Sequence, residues 1–268
     1  MNIFKKIFFN NNSAKPTLSD NFFSIIIDTC NHESWIKKCL NSCVNQNFKN
    51  FEVILMDANS DDNTFKIAKK YASKYPNLKV FQNIKRVPQI ANILSLTELA
   101  RPNAICVSVD GDDWLPHNNV LKELDKVYSS TDIWMTYGTY KEYTGFFSYR
   151  SVSHIYKRYP DEVISSNTFR TYQWLASHLR TYRRELFLKI DIEDFKLDNG
   201  EWLDTAGDLA FMIPMLEMSG FRSRYVKNVM YVYNVANMQR DGSINEKRQI
   251  ELADYVRLKN KYSLIYSL

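Results

Sequence analysis

Glycine is scarce in this chain, with 7 residues in 268. No G-x-x-x-x-G-K-[ST] or G-x-G-x-x-G run occurs, which argues against a P-loop or a glycine-rich dinucleotide fold as the means of holding phosphate. Histidine and cysteine are equally sparse, at 4 each. A zinc centre built from Cys30, His32, Cys39 and Cys43 is conceivable, but Ile36, Cys39, Leu40 and Cys43 recur at the i, i+3, i+4, i+7 spacing of a buried helix face. Reduced core thiols are therefore expected. No window of about 18 apolar residues appears, so no membrane-spanning helix is expected. The apolar, basic stretch Met1–Phe9 is too short for one, and no small-residue cleavage site follows it. Residues 1–20 read as a polar, frayed tail, with peripheral contact to a membrane surface through Phe and Lys as the alternative, on a cytoplasmic protein. Like-charge blocks are also missing. A net charge of +5 suits anionic small molecules and makes no demand for nucleic acid.

What is present is apolar content of 45%, enough for a sizeable core, arranged in a regular alternation. Short apolar strands are expected at Phe23–Ile27, Glu52–Met56, Leu78–Gln82, Ala104–Val109 and Asp132–Tyr137. Between them, helical periodicity predicts helices over Glu33–Val44, Asp62–Tyr75, Gln89–Leu99 and Asn118–Tyr128. Such alternation implies an α/β fold: a mostly parallel open sheet with helices on both faces, binding ligands beyond the carboxyl ends of its strands. Polar motifs stand at those ends. Asp28-Thr29-Cys30-Asn31 follows the first strand, Asp57-Ala58-Asn59-Ser60-Asp61-Asp62 the second, and Asp110-Gly111-Asp112-Asp113 the fourth. Clustered carboxylates at a strand end suit a hard divalent cation such as Mg²⁺ or Mn²⁺ with open positions for a phosphate-bearing substrate. Each run taken alone reads equally well as an acidic turn.

The ordered series Phe23–Asn31, Asn41–Gln46, Phe51–Thr64 and Val109–Pro116 resembles the family 2 glycosyltransferases of GT-A fold over about residues 22 to 130. The resemblance implies a nucleotide-sugar-dependent, metal-dependent, inverting glycosyl transfer. It points to Thr29, Asn31 and Asp57 as nucleoside contacts, and to Asp110 and Asp112, with Asp113 beside them, as the metal and diphosphate motif of DXD type. Lys85 or Arg86, followed by Asn92, occupies the region where the family places further donor contacts. The chain departs from the family pattern at Asp28, where proline is common, and at Ala58, where many members carry a second Asp.

The second half must supply the acceptor site and the base. The segment Asp204-Thr-Ala-Gly-Asp208 through Gly220 resembles the family segment in which an Asp opens a helix that ends at a glycine. Asp208 is thereby the candidate base, and Asp204 the next carboxylate to consider. The run His178-Leu-Arg180-Thr-Tyr-Arg183-Arg184 could set a histidine and cations against the diphosphate, with His178 the candidate. Tyr231–Gly242 resembles the family's closing loop, in which Asn237 or Arg240 would reach the diphosphate. The aromatics Tyr140, Tyr143, Phe147, Tyr149, Tyr156 and Tyr159 are read mainly as core. Residues 246–268 read as a docking helix carried by Ile250, Leu252, Tyr255, Leu258 and Tyr262.

The expected organisation is a tail (1–20), a donor half (21–130), an acceptor and base half (131–240) and a helical extension (241–268). The expected activity is a hexosyltransferase type of reaction from a nucleotide sugar, a UDP-sugar, to a hydroxyl of a glycan or glycoconjugate. A metal-dependent nucleotide-sugar phosphohydrolase and a non-catalytic sugar-binding module are the alternatives.

Overall fold

A computed structural model describes residues 21–129, 132–146, 148–152, 154–238 and 246–268. The expectations for residues 1–20, Phe147 and Arg240 lie outside the described residues. The first half runs β1 (Phe23–Thr29), α1 (Ile36–Val44), β2 (Phe51–Asp57), α2 (Thr64–Ala72), β3 (Leu78–Gln82), α3 (Gln89–Leu99), β4 (Ile105–Asp110) and α4 (Val120–Ser129). The second half adds β5 (Met135–Gly138), β6 (Lys141–Gly145), β7 (Ser148–Ser151), α5 (Asp161–Ser165), β8 (Ser177–Arg183), α6 (Arg184–Phe187), α7 (Gly207–Ser219), β9 (Ser223–Val226), β10 (Val232–Asn234) and α8 (Glu246–Leu258).

The main sheet has the order β3-β2-β1-β4-β8-β5-β9, and β10-β6-β7 form a smaller one. Strands β1 to β4 are mutually parallel. β8 enters antiparallel between β4 and β5, so the two halves of the chain share one sheet. Being central, β1 is covered on both faces and reads as a nearly continuous apolar run, FSIII, in which only Ser24 is polar. Side-chain alternation divides the core accordingly. Ile25, Ile27, Val107 and Val109 pack under α1 and α4 with Cys39 and Cys43, the spacing-predicted core thiols. Ile26, Ile54 and Cys106 pack on the other face under α3 and α7.

Helix boundaries differ from the periodicity where acidic side chains cap instead of coil. α1 begins at Ile36 because Glu33 turns toward the next loop, where its carboxylate accepts from the Asn63 backbone N–H at 3.0 Å. α2 begins at Thr64, whose N–H donates to Asp62 Oδ1 at 2.9 Å. β5 starts at Met135 because Asp132, at φ 59°, accepts the Trp134 indole N–H at 2.9 Å. α3 spans the expected residues.

Two expectations are corrected. Of the aromatics assigned to the core, Tyr159 is buried, Tyr140, Tyr143 and Tyr156 are half-buried, and Tyr149 is exposed. β7 is exposed along its length, so the rings there stay at the surface. The C-terminal helix does dock, but through Leu252 and Val256 and not through Ile250 and Leu258, which are exposed. Arg170 selects that face: it is bidentate to Glu217 of α7 at 2.7 and 2.9 Å and donates to the Val256 carbonyl at 2.7 Å. Among the described residues no helix is long and apolar enough to cross a membrane.

Candidate active site at the carboxyl ends of the strands

The parallel registers set Thr29 beside Asp57 and Asp28 beside Asp110, so the polar ends of β1, β2 and β4 lie on one edge. Close approach there requires Gly111. Its N–H donates to the Asp28 carbonyl at 2.8 Å, and a Cβ at this position would stand 2.2 Å from Thr29 Oγ1. Thr29 Oγ1 in turn lies 3.2 Å from the His32 ring nitrogen Nδ1.

Asp57 is buried and organises the turn after β2. Its carboxylate accepts from the Ser60 N–H at 2.8 Å, the Ser60 hydroxyl at 2.6 Å and Gln82 Nε2 at 3.2 Å. Asn31, in the left-handed region at φ 57°, locks that turn to the first strand. Its N–H donates to Ser60 Oγ at 2.8 Å and its side-chain oxygen accepts from the Asp61 N–H at 2.8 Å. Arg86 closes the same loop from outside, donating to Asp61 at 2.7 Å and to the Asn59 carbonyl at 3.2 Å.

α3 points its first turn at the carboxylates. Gln89 donates to Asp110 Oδ1 at 2.9 Å, and the buried Asn92 donates to Asp28 Oδ1 at 2.6 Å. From the opposite side, β10 and the residues after it hold the acidic run. Tyr231 accepts from the Asp110 N–H at 3.1 Å and donates to Asp113 Oδ2 at 2.7 Å. The Asn234 N–H donates to Asp113 Oδ1 at 2.7 Å, and Asn237 donates to Asp112 Oδ2 at 2.7 Å. Burial, then the charges of Asp112 and Asp110, push the Asp113 carboxyl well above its ordinary range. A cleft of about 490 Å³ opens beside this network, walled by Asn31, Trp35, Asp61, Asn237 and Met238.

His178 stands behind the rim, its ring stacked on Tyr231 at 4.3 Å between centroids. Burial, and then Arg180, hold it well below its ordinary value of 6.5, so it is a neutral ring at pH 7. Asp208 comes from the other half of the chain. Ala206 adopts a left-handed conformation at φ 56°, and α7 then starts at Gly207, where a Cβ would sit 3.2 Å from Ile90 Cβ of α3. Asp208, in the first turn, accepts from Arg180 Nη2 at 2.7 Å. Arg180 is the register partner of Ser108 on β4, two residues before Asp110 and on the same face. Asp204 lies apart from this pair, exposed and bonded to Arg248 of α8 at 3.3 Å.

The structure thus gathers Thr29, Asn31, Asp57, Asn92, Asp110 and Asp112 on one rim, with Arg86 bracing it and His178 supporting Tyr231 from behind. Gln89, Tyr231 and Asn234 carry no role in the motifs, although Gln89 is the first residue of an expected helix and Tyr231 and Asn234 lie in the segment that resembles the closing loop. Arg180 was in the cationic run, but nothing in its spacing distinguished it from Arg183 and Arg184. Among the described residues no three His, Cys, Asp or Glu side chains form a metal cage. The all-oxygen donors of Asp110 and Asp112 nevertheless fit the chemistry of a hard divalent cation.

Comparison with known proteins agrees with this fold. Residues 24–191 match the family described as glycosyl transferase family 2. Glycosyltransferase GlyA of Streptococcus pneumoniae is 21% identical over 232 residues, 85% of this chain and 32% of its own length. The crystal structure of S. aureus TarS 1-349 in complex with UDP-GlcNAc superposes with a TM-score of 0.62 at 22% identity, over 84% of this chain and 61% of that one. A mannosyltransferase of Pyrobaculum calidifontis, in complex with GDP-Man and Mn²⁺, gives a TM-score of 0.59 at 17% identity, over 90% of this chain and 65% of that one. The fold is shared with these GT-A glycosyltransferases. The chain spans about a third of the pneumococcal protein.

Proposed function

The chain belongs to glycosyl transferase family 2, and on that premise we propose that it moves a sugar, with inversion, from a nucleotide-sugar donor to a hydroxyl of a glycan or glycoconjugate. The observation that carries this reading is the joining of two separate carboxylate systems. Asp57 ends β2 and Asp110 ends β4, the parallel strands on either side of β1, with Asp112 and Asp113 just after, while Asp208 belongs to the second half and is paired to Arg180 on the strand beside β4. A hydrolase would need only the first system.

In this reading Thr29, Asn31 and Asp57 form the nucleoside end of the donor site. Arg86 and Asn92 maintain its walls, and His178 maintains the position of Tyr231 behind Asp110. Asp110 and Asp112 would hold Mn²⁺ or Mg²⁺, which when bound neutralises charge developing on the departing diphosphate. Asp208 takes the proton from the acceptor hydroxyl as it attacks the anomeric carbon on the face opposite the diphosphate. The proton ends on the carboxylate and the electron pair of the broken bond leaves with the diphosphate. A UDP-sugar is the proposed donor, consistent with the UDP-GlcNAc bound by the TarS structure of the same fold.

A thermal-shift panel of UDP- and GDP-sugars with Mn²⁺ tests the donor, because a ligand that binds only the folded state raises apparent stability by RT ln(1 + [L]/Kd). Product analysis of the best UDP-sugar with and without oligosaccharide or polyol acceptors tests the reaction. A new glycoside that forms only with acceptor supports transfer. Free sugar at the same rate in both arms overturns it in favour of hydrolysis, and no turnover with retained binding favours a sugar-binding module.

A further inference from the structure

We infer that Arg180 is a positioning residue for the transfer, fixing the candidate base Asp208 through one of its two carboxylate oxygens. The inference rests on the assignment of Asp208 as the base. Four buried or half-buried arginines of this half show what sets Arg180 apart. Arg170 finds a partner for each of its three guanidinium nitrogens, in Glu217 and the Val256 carbonyl. Arg183 donates to the Ile133 carbonyl, and Arg184 to the carbonyls of Thr97 and Glu98. Those three tie the fold together. Arg180 is 8% exposed, makes its one side-chain bond among the described residues to Asp208 Oδ2 at 2.7 Å, and leaves its buried Nε without a partner.

A buried guanidinium with an unpaired N–H is a poor structural element, because burial removes the water that would otherwise satisfy it. It cannot shed its charge either, since arginine stays protonated in proteins. The arrangement therefore maintains a permanent cation at 2.7 Å from Asp208 Oδ2, on the strand adjacent to β4 and on the face of Asp110. Bonding to Oδ2 holds that oxygen against the cation and leaves Oδ1 to receive the acceptor proton. The left-handed Ala206 and the close approach of Gly207 to Ile90 hold the backbone of Asp208, and among the described residues Arg180 holds its side chain.

A double-substitution cycle tests this, with turnover read as UDP release from the UDP-sugar that gives the largest thermal shift, acceptor present. Arg180→Gln is expected to lower kcat about 10- to 100-fold, the scale of a misplaced catalytic group, while changing the donor KM less than about twofold. Guanidinium ion added to that variant should restore part of kcat. In an Asp208→Asn background, which itself lowers kcat by about 10² to 10⁴, Arg180→Gln should cost nothing further. Additive losses, a loss confined to KM, or an unchanged kcat in Arg180→Gln would overturn the inference while leaving Asp208 as the base. Normal turnover in Asp208→Asn would instead overturn the base assignment and this inference with it. Should Arg180→Gln fail to fold, Arg180→Lys keeps the charge without the planar fork and carries the same comparison.

Discussion

Replacing Glu217 with alanine is expected to lower the unfolding temperature by about 5–9 °C. Glu217 has no side-chain exposure, and its partner Arg170 retains 9%. The pair joins α7 to α8, because Arg170 also donates to the Val256 carbonyl at 2.7 Å and the Tyr262 N–H donates to Glu217 at 3.0 Å. Removing one member of such a pair strands a buried charge and typically costs about 3–5 kcal/mol. For 268 residues the unfolding entropy is about 0.55 kcal/mol/K, which converts that cost into the stated shift. The companion substitution, Arg170→Met with Glu217→Leu, removes both charges and should recover most of the loss, since well-packed apolar replacements of a buried pair are often neutral or stabilising by about 1–4 kcal/mol. Calorimetry, with urea unfolding at 25 °C as a check, measures both proteins. A loss below about 1 kcal/mol for Glu217→Ala, or a double variant less stable than the single one, would refute the reasoning.

Other consequences are equally direct. Asp112→Asn should remove the metal-dependent part of the donor-induced thermal shift while leaving the unliganded unfolding temperature within a few degrees; a full Mn²⁺ response would take Asp112 out of the cation site. Gly111→Ala should destabilise by about 1–3 kcal/mol and weaken donor binding, because the new methyl group would collide with Thr29 Oγ1 at 2.2 Å; unchanged urea midpoints would contradict it. Burial and Arg180 hold His178 well below 6.5, so the unfolded chain takes up a proton near that pH that the folded chain refuses. The stability this provides is present above pH 6.5 and is lost as pH falls toward the folded value. His178→Phe, which preserves a ring against Tyr231, should therefore flatten the fall in stability between pH 6.5 and 5 relative to the parent, and parallel urea titrations at those pH values check it.

The parallel donor half was legible from local pattern. Its apolar runs are too short for anything but strands, the intervening helices have 3.6-residue spacing, and polar, acidic turns follow the first, second and fourth strands, so β1 to β4 and α3 were readable in advance, while the family resemblance singled out Thr29, Asn31, Asp57, Asp110 and Asp112 at those ends. The family resemblance also placed Asp208 at the start of a helix that ends at Gly220, and α7 spans Gly207–Ser219. Local pattern did not reveal the small sheet of β10, β6 and β7, whose pairing joins segments some ninety residues apart, or the exposure of its aromatic rings. It also misjudged part of the docking face of α8: Leu252, Tyr255 and Tyr262 do pack on the core, but Ile250 and Leu258, which fit the helical period as well as Val256, are turned out by the rotation that the buried Arg170–Glu217 pair fixes.

Long-range packing settles how the second half meets the first. Arg180, Arg183 and Arg184 are alike in sequence, and the insertion of β8 antiparallel to β4 alone sends one of them to Asp208 and the other two to backbone carbonyls. Tyr231 meets Asp113 across 118 positions of chain. Such contacts depend on strand order and register, which long-range packing selects and no local spacing encodes.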